Sequence, residues 1–243
     1  MASMTVEVRS VLQRDSMDVP EAAFMERAFY VLIWGAFALG APWVARTRQH
    51  IVALWAWRIV GALAAAVALV VQTLIANPVF GGADLGGLPI FNGLFLAYAM
   101  PAAMAALARY WVDGVESDRR VGQAAAAIAL ILAFAYVSFE VRHWFDSKFE
   151  RGGFDADGIE LYAYSIVWLL FGTAVLALGF LRHAPPLRHA GMIMVCIVVA
   201  KVFLIDMAGL QGLLRVLSFL GLGAALMGMG YAYRRFVFEA PTK

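Results

Sequence analysis

Charge is scarce in this sequence. Asp, Glu, Lys and Arg make up only 15% of its 243 residues, against about 25% in a typical soluble domain. Hydrophobic residues reach 63% and mean hydropathy is +0.78. That leaves too little polar surface to cover a water-facing globule. The formal net charge is +2, and the basic residues sit in short connections rather than in a stripe, which gives no hint of a nucleic-acid partner, and none is expected. Cysteine is nearly absent. Cys196, inside an apolar run, has no second thiol to pair with, so it says nothing about redox compartment. Histidine is also scarce, with four in all. No Gly-Lys-Ser/Thr phosphate loop, His-Glu-x-x-His, Cys-x-x-Cys or Gly-x-Ser-x-Gly occurs. Gly221-Leu222-Gly223 is too apolar for a nucleotide loop. No cofactor is expected. The N-terminus lacks the basic-then-apolar order of a cleaved signal peptide, so the first span is expected to direct targeting.

What the chain has in abundance is long apolar runs. Crossing about 30 Å of hydrocarbon takes roughly 20 mostly apolar residues. About seven stretches fit that length, at 28–45, 51–76, 91–111, 121–140, 161–181, 190–207 and 212–233. They are continuous rather than alternating, which predicts helices and not barrel strands. Most tryptophans fall near their ends, as interfacial aromatics do. The expected fold is therefore an all-α polytopic transmembrane helix bundle. A polar tail at 1–26 precedes a seven-helix domain at 27–236, and a short tail at 237–243 follows, with no polar linker dividing the domain.

Every second connection is basic. Arg46 and Arg48, then Arg109, Arg119 and Arg120, then Arg182 and Arg188, then Arg234 and Arg235 alternate with a 77–90 loop free of Lys and Arg and a mixed 141–160 loop. The positive-inside rule places the basic set in the cytoplasm. The N-terminus is then outside and the C-terminus inside, which an odd number of spans satisfies.

This orientation gathers most ionisable residues near the non-cytoplasmic helix ends. The 77–89 loop carries Asn77 and Asp84, with four glycines and two prolines that break helix; it is either a surface loop or one that dips back into the protein. Asn92 follows it. Glu140, Arg142 and His143 end the fourth span. Glu140 and His143 are three apart and share a helical face. Three uses suit that spacing: a cap and salt-bridge cluster, an acid/base or ligand pair, or half of a di-metal site. A di-metal site needs a second such motif, which is missing, so no metal is expected. Glu160 and Tyr164, four apart, open the fifth span beside Tyr162 and Ser165. Lys201 lies about 9 Å below the outer end of the sixth span at about 1.5 Å per residue. Asp206 sits at that end, and Arg215 and Ser218 begin the seventh span. Ionisable groups at such depth face the bundle and pair with one another; Lys201 either snorkels or pairs with Asp206, and Asp206 alternatively pairs with Arg215. Arg58, in the inner half of the second span, is the exception to the outer bias. Gly221, Ala225 and Gly228 give the small-residue spacing of closely packed helices.

Several stretches resemble a bacterial family of predicted membrane proteins, the domain of unknown function 2339. They are Lys201-Val202-Phe203-Leu204-Ile205-Asp206, Leu210-Gln211-Gly212-Leu213-Leu214-Arg215-Val216-Leu217-Ser218, Gly230-Tyr231-Ala232-Tyr233, Gly87-Leu88-Pro89-Ile90-Phe91-Asn92, Glu140-Val141-Arg142-His143 and Glu160-Leu161-Tyr162-Ala163-Tyr164-Ser165. The similarity spans about 50–236. It implies a C-terminal unit that in longer members follows further spans, and it carries no activity to transfer. Its recurrent polar positions coincide with the outer-side residues reached from physics.

The expected function is that of a multi-pass protein of the bacterial inner membrane, surrounded by lipid. Its outer polar cluster would bind a lipid head group, a glycan or a partner protein. One alternative is a membrane enzyme on a lipid-linked or envelope substrate, with Glu140 or His143 as acid/base and Lys201 and Arg215 holding an anionic group. The other is a transporter or channel component, for which the sequence shows neither a sustained polar lining nor an inverted repeat.

Overall fold

The structure is a computed structural model and describes residues 19–48, 51–81, 85, 88–115, 119–146, 158–206 and 213–234. Among these the long helices are α1 (Val19–Arg48), α2 (Ile51–Ala66, continued by a π-helical stretch Val67–Ile75), α3 (Met100–Val115, preceded by a π-helical turn Phe95–Ala99), α4 (Arg119–Phe145), α5 (Gly158–Leu181), α6 (Pro185–Lys201, continued by a π-helical turn Val202–Asp206) and α7 (Leu213–Tyr233). No strand occurs among the described residues. Five of the expected spans are long and apolar enough to cross a membrane: Ala23–Gly40, Trp55–Ile75, Arg120–Phe145, Ile159–Leu181 and Pro185–Asp206. The two others expected, 91–111 and 212–233, are helical from Gly93 and from Leu213 onward but not among those five; the apolar stretch of α7 is Phe219–Gly228. α1 begins at Val19, inside the segment that composition marks as a polar tail.

The chain divides into two compact units, Met1–Asp155 and Ala156–Lys243. In the first, α1 packs on α2 and α3, and α3 on α4. Its core is built from all four helices and the 77–90 segment, with Phe24, Ala68, Val79, Leu85, Leu94 and Tyr98 among the buried residues. The 77–90 segment is therefore not a plain surface loop. Asn77 starts its one-turn helix Pro78–Gly81 by accepting from the Val79 N–H at 2.9 Å, and its amide donates to the Thr73 carbonyl at 3.0 Å. Val79 and Leu85 are inserted into the bundle. Non-helical backbone survives at such a place only when its polar groups are met by protein, and these hydrogen bonds meet part of that need.

The π-helical turn before α3 has a visible cause. Pro101 has no N–H, and in a regular helix its ring would crowd the Ala97 carbonyl four residues earlier. Widening Phe95–Ala99 relieves that contact, and the Met100 N–H bonds to the Phe95 carbonyl instead. Tyr98 in this turn is fully buried and donates its hydroxyl to the Gln72 carbonyl at 2.9 Å. Gln72 lies in the π-helical part of α2, so two irregular turns are joined where each has backbone groups out of the usual register.

In the second unit α5 and α6 form a close antiparallel pair. A Cβ on Gly191 would lie 2.5 Å from the Leu176 nitrogen, and one on Gly179 would lie 2.6 Å from the Arg188 nitrogen. Only glycine permits this approach. The Arg188 side chain closes the turn, donating from Nε to the Gly179 carbonyl at 3.1 Å and stacking over Phe180. α7 packs on α6 and on its π-helical end. In α7, Gly221 faces the Phe203 ring, while a Cβ on Gly228 would meet nothing within 4 Å among the described residues.

Candidate functional site

In the first unit the polar residues converge on the end of α4. Tyr136 and Glu140 are four apart, so both project from one face. Between them they hold the backbone of Ile90. Glu140 Oε1 accepts from the Ile90 N–H at 2.7 Å, and the Tyr136 hydroxyl donates to the Ile90 carbonyl at 2.8 Å. Ile90 has φ of 70°, an outlier for a β-branched residue. Such a conformation costs about 1–3 kcal/mol and persists only when surroundings fix it; here both peptide groups of the strained residue are fixed by α4.

Asn92 completes the latch. Its amide nitrogen donates to Glu140 Oε2 at 3.0 Å and lies 3.2 Å from Oε1. Its Oδ1 accepts from the N–H groups of Leu94 at 2.9 Å and Phe95 at 3.3 Å, which caps the incoming turn of α3. His143 is buried, with Nδ1 3.4 Å from the Asn92 amide and 4.0 Å from Glu140 Oε1. The shared face expected from the three-residue spacing is thus real, but the Asn92 amide sits against both groups. A metal held jointly by Glu140 and His143 would have to displace it. Arg142 is buried on another face, 3.8 Å from Asp146. The four residues after Gly87 turn the other way: Leu88, Pro89, Ile90 and Phe91 are exposed, as is Trp144 one turn beyond Glu140.

In the second unit Lys201 does not snorkel. Its Nζ donates to Asp206 Oδ1 at 2.8 Å, to Ser165 Oγ at 2.6 Å and to the Leu161 carbonyl at 3.1 Å. An ammonium has three protons, so every donor is used. The Ser165 hydroxyl donates to Asp206 Oδ2 at 2.5 Å, so both carboxylate oxygens are also met. The Lys201 and Asp206 side chains are only 10% and 1% exposed. A buried pair is tolerable only when it is neutral as a pair and fully hydrogen-bonded, and this one is. Tyr162 adds a long contact of 3.5 Å from its hydroxyl to the Asp206 carbonyl. Glu160 is buried nearby in sequence, and Tyr164 packs edge-on against Trp168.

Of the candidates read from sequence, Asn92, Glu140 and His143 form one cluster and Lys201 and Asp206 another, each within its own unit. Asn77 belongs to the helix start described above and not to the Glu140 cluster. Asp84 and the side chains of Arg215 and Ser218 lie outside the described residues. Tyr136 and the Ile90 backbone are the participants that the candidate set lacked, and Ser165 was marked only by its place at the start of the fifth span, without a role. Tyr136 stands four before Glu140 and Ser165 closes the polar stretch 160–165, so the signal was helical spacing. Among the described residues no group of three or more His, Cys, Asp or Glu is placed to hold a metal.

No curated protein and no solved structure matches the chain. Among known families, a match covers residues 1–236, nearly the whole chain and further towards the N-terminus than the motifs alone reach. Together with the apolar helices this settles a membrane location, and the chain belongs to the predicted membrane protein family DUF2339.

Proposed function

We propose that the protein is a non-catalytic, multi-pass component of a bacterial inner membrane that docks a partner membrane protein on its non-cytoplasmic side. The alternating basic connections support seven spans with the N-terminus outside, which puts the end of α4 and the 88–92 segment on that side. The observation that carries the proposal is how Glu140 is used. Both of its oxygens accept hydrogen bonds from the 90–92 segment. This spends the polar groups inward and holds Leu88, Ile90 and Phe91 outward. Aliphatic and aromatic side chains on a fixed backbone, with Trp144 exposed one turn beyond Glu140 on α4, have the composition of an interface centre. They are also ordered before binding, which lowers the cost of association.

The acid/base alternative is less well supported. A general base needs a lone pair directed at substrate, and the Glu140 carboxylate is occupied by Ile90 and Asn92. Lys201 is likewise engaged by three acceptors, so holding an anionic substrate group would mean breaking its ties to Asp206 and Ser165.

The test is in-cell photo-crosslinking from position 91, with position 131 as control. Ile131 is an exposed residue in the middle of α4. Position 91 should give a discrete protein adduct that weakens in Glu140→Ala, and position 131 should give lipid adducts only. Lipid adducts alone from position 91 would overturn the proposal.

A further inference from the structure

The first unit also holds a groove of about 360 Å³, lined by α1, α2, α3 and α4. It exists because small residues face one another across it, among them Gly35, Gly61, Ala65, Ala105 and Ala125. Small residues alone are ordinary helix packing. Two polar residues of α2 make this place different. Trp57 lines the groove and is 7% exposed, and its indole Nε1 is buried with no hydrogen-bond partner among the described residues. A buried donor normally finds an acceptor, and an unmet one costs about 1–3 kcal/mol. Arg58, beside it in sequence, also lines the groove, and its guanidinium stands 5.3 Å from the centre of the Trp55 ring.

We infer that this groove holds one acyl chain of an anionic membrane lipid. The Trp57 N–H would meet an ester or phosphate oxygen, and Arg58 would meet the phosphate. Water is a poor occupant, because the lining is almost wholly apolar and offers few of the 2–4 polar partners a buried water needs. The length agrees. From Arg58 to Ala68, both in the lining, ten helical residues rise about 15 Å. That is half of the roughly 30 Å hydrocarbon thickness, the reach of one leaflet. Arg58 lies towards the end of α2 that follows the basic connection at Arg46 and Arg48, so the leaflet is the one on the basic side. Bilayer chains are as apolar as the groove, so burial supplies no driving force. Selectivity comes from Trp57 and Arg58, and charge complementarity favours a phosphodiester anion over a zwitterion.

The experiment is native mass spectrometry of the full chain in detergent, titrated with phosphatidylglycerol and with phosphatidylcholine of the same chains. The expected result is one retained phosphatidylglycerol, bound about tenfold more tightly than phosphatidylcholine, as one charge-assisted contact implies. Arg58→Gln should bring the two lipids to equal affinity. Trp57→Phe keeps the ring and removes the N–H, and should weaken both lipids by about fivefold. Ala65→Phe fills the groove and should abolish the retained lipid, with helicity by circular dichroism unchanged. A folded Ala65→Phe protein that binds phosphatidylglycerol as before overturns the inference. So does an undiminished preference in Arg58→Gln, which settles the matter even if Ala65→Phe does not fold. A lipid-free dimer that Ala65→Phe dissociates would place a second protein helix in the groove and also overturns it.

Discussion

Replacing Glu140 by alanine removes the acceptor for the Ile90 N–H and for the Asn92 amide. Hydrogen bonds to a charged acceptor contribute about 1.5–3 kcal/mol each. The Glu140 side chain is 16% exposed and Ile90 lies at the surface, so water compensates part of the loss and the lower end applies. Two bonds then amount to about 3 kcal/mol. The φ of 70° at Ile90 works in the same direction, because its strain is released once the clamp opens. About 3 kcal/mol is roughly a hundredfold change in a local opening equilibrium. Hydrogen exchange of the purified protein reads this directly. Amides of residues 90–95 should exchange about a hundredfold faster in Glu140→Ala and about tenfold faster in Glu140→Gln, which keeps one neutral acceptor. Amides in the middle of α4 should not change. If exchange at 90–95 in Glu140→Ala stays within about threefold of the parent, Glu140 does not hold the segment and the latch is wrong.

Removing one partner of the Lys201–Asp206 pair strands the other in a buried site, so Lys201→Ala should lower stability by about 3–5 kcal/mol in chemical denaturation, while the double change Lys201→Met, Asp206→Leu should recover most of it. Gly191→Ala places a methyl 2.5 Å from the Leu176 nitrogen and forces α5 and α6 apart; about 1–3 kcal/mol of destabilisation should appear in the same assay, with the wider-spaced Gly228→Ala near neutral. Tyr98→Phe deletes the hydroxyl that joins α3 to the Gln72 carbonyl and should cost about 1 kcal/mol, read by thermal unfolding.

Much of the bundle was legible because bilayer physics is severe. Backbone polar groups must be met within the segment, so long apolar runs had to be helices, and α2, α4, α5 and α6 lie where composition put them. The Glu140–His143 face and the Lys201–Asp206 pair were legible for a related reason: helical spacing and the expense of a lone charge leave few arrangements. Asn92 and Ser165 stood out as polar residues, but the pairings that complete each cluster were not legible. Asn92 is 48 positions from Glu140, and no periodicity links a turn residue to a helix end at that distance. Ser165 is 36 positions from Lys201, and the two meet across the α5–α6 pair, whose close packing Gly172, Gly179 and Gly191 admit. The sequence marks these as glycines, but not which neighbour they must admit. The groove draws on residues from four helices, and Trp57 gains meaning only when its N–H proves to lack an acceptor among the described residues. The irregular turn before α3 had one signal, Pro101, which predicts a disturbed helix without saying that it widens.

The account rests on the Leu88–Phe91 rim facing the non-cytoplasmic side. In a Cys196→Ser background, Phe91→Cys and Ser117→Cys can be labelled in intact cells with a membrane-impermeant maleimide. Labelling at position 91 with protection at 117 until the membrane is permeabilised is the predicted result; labelling at 117 with protection at 91 would contradict it.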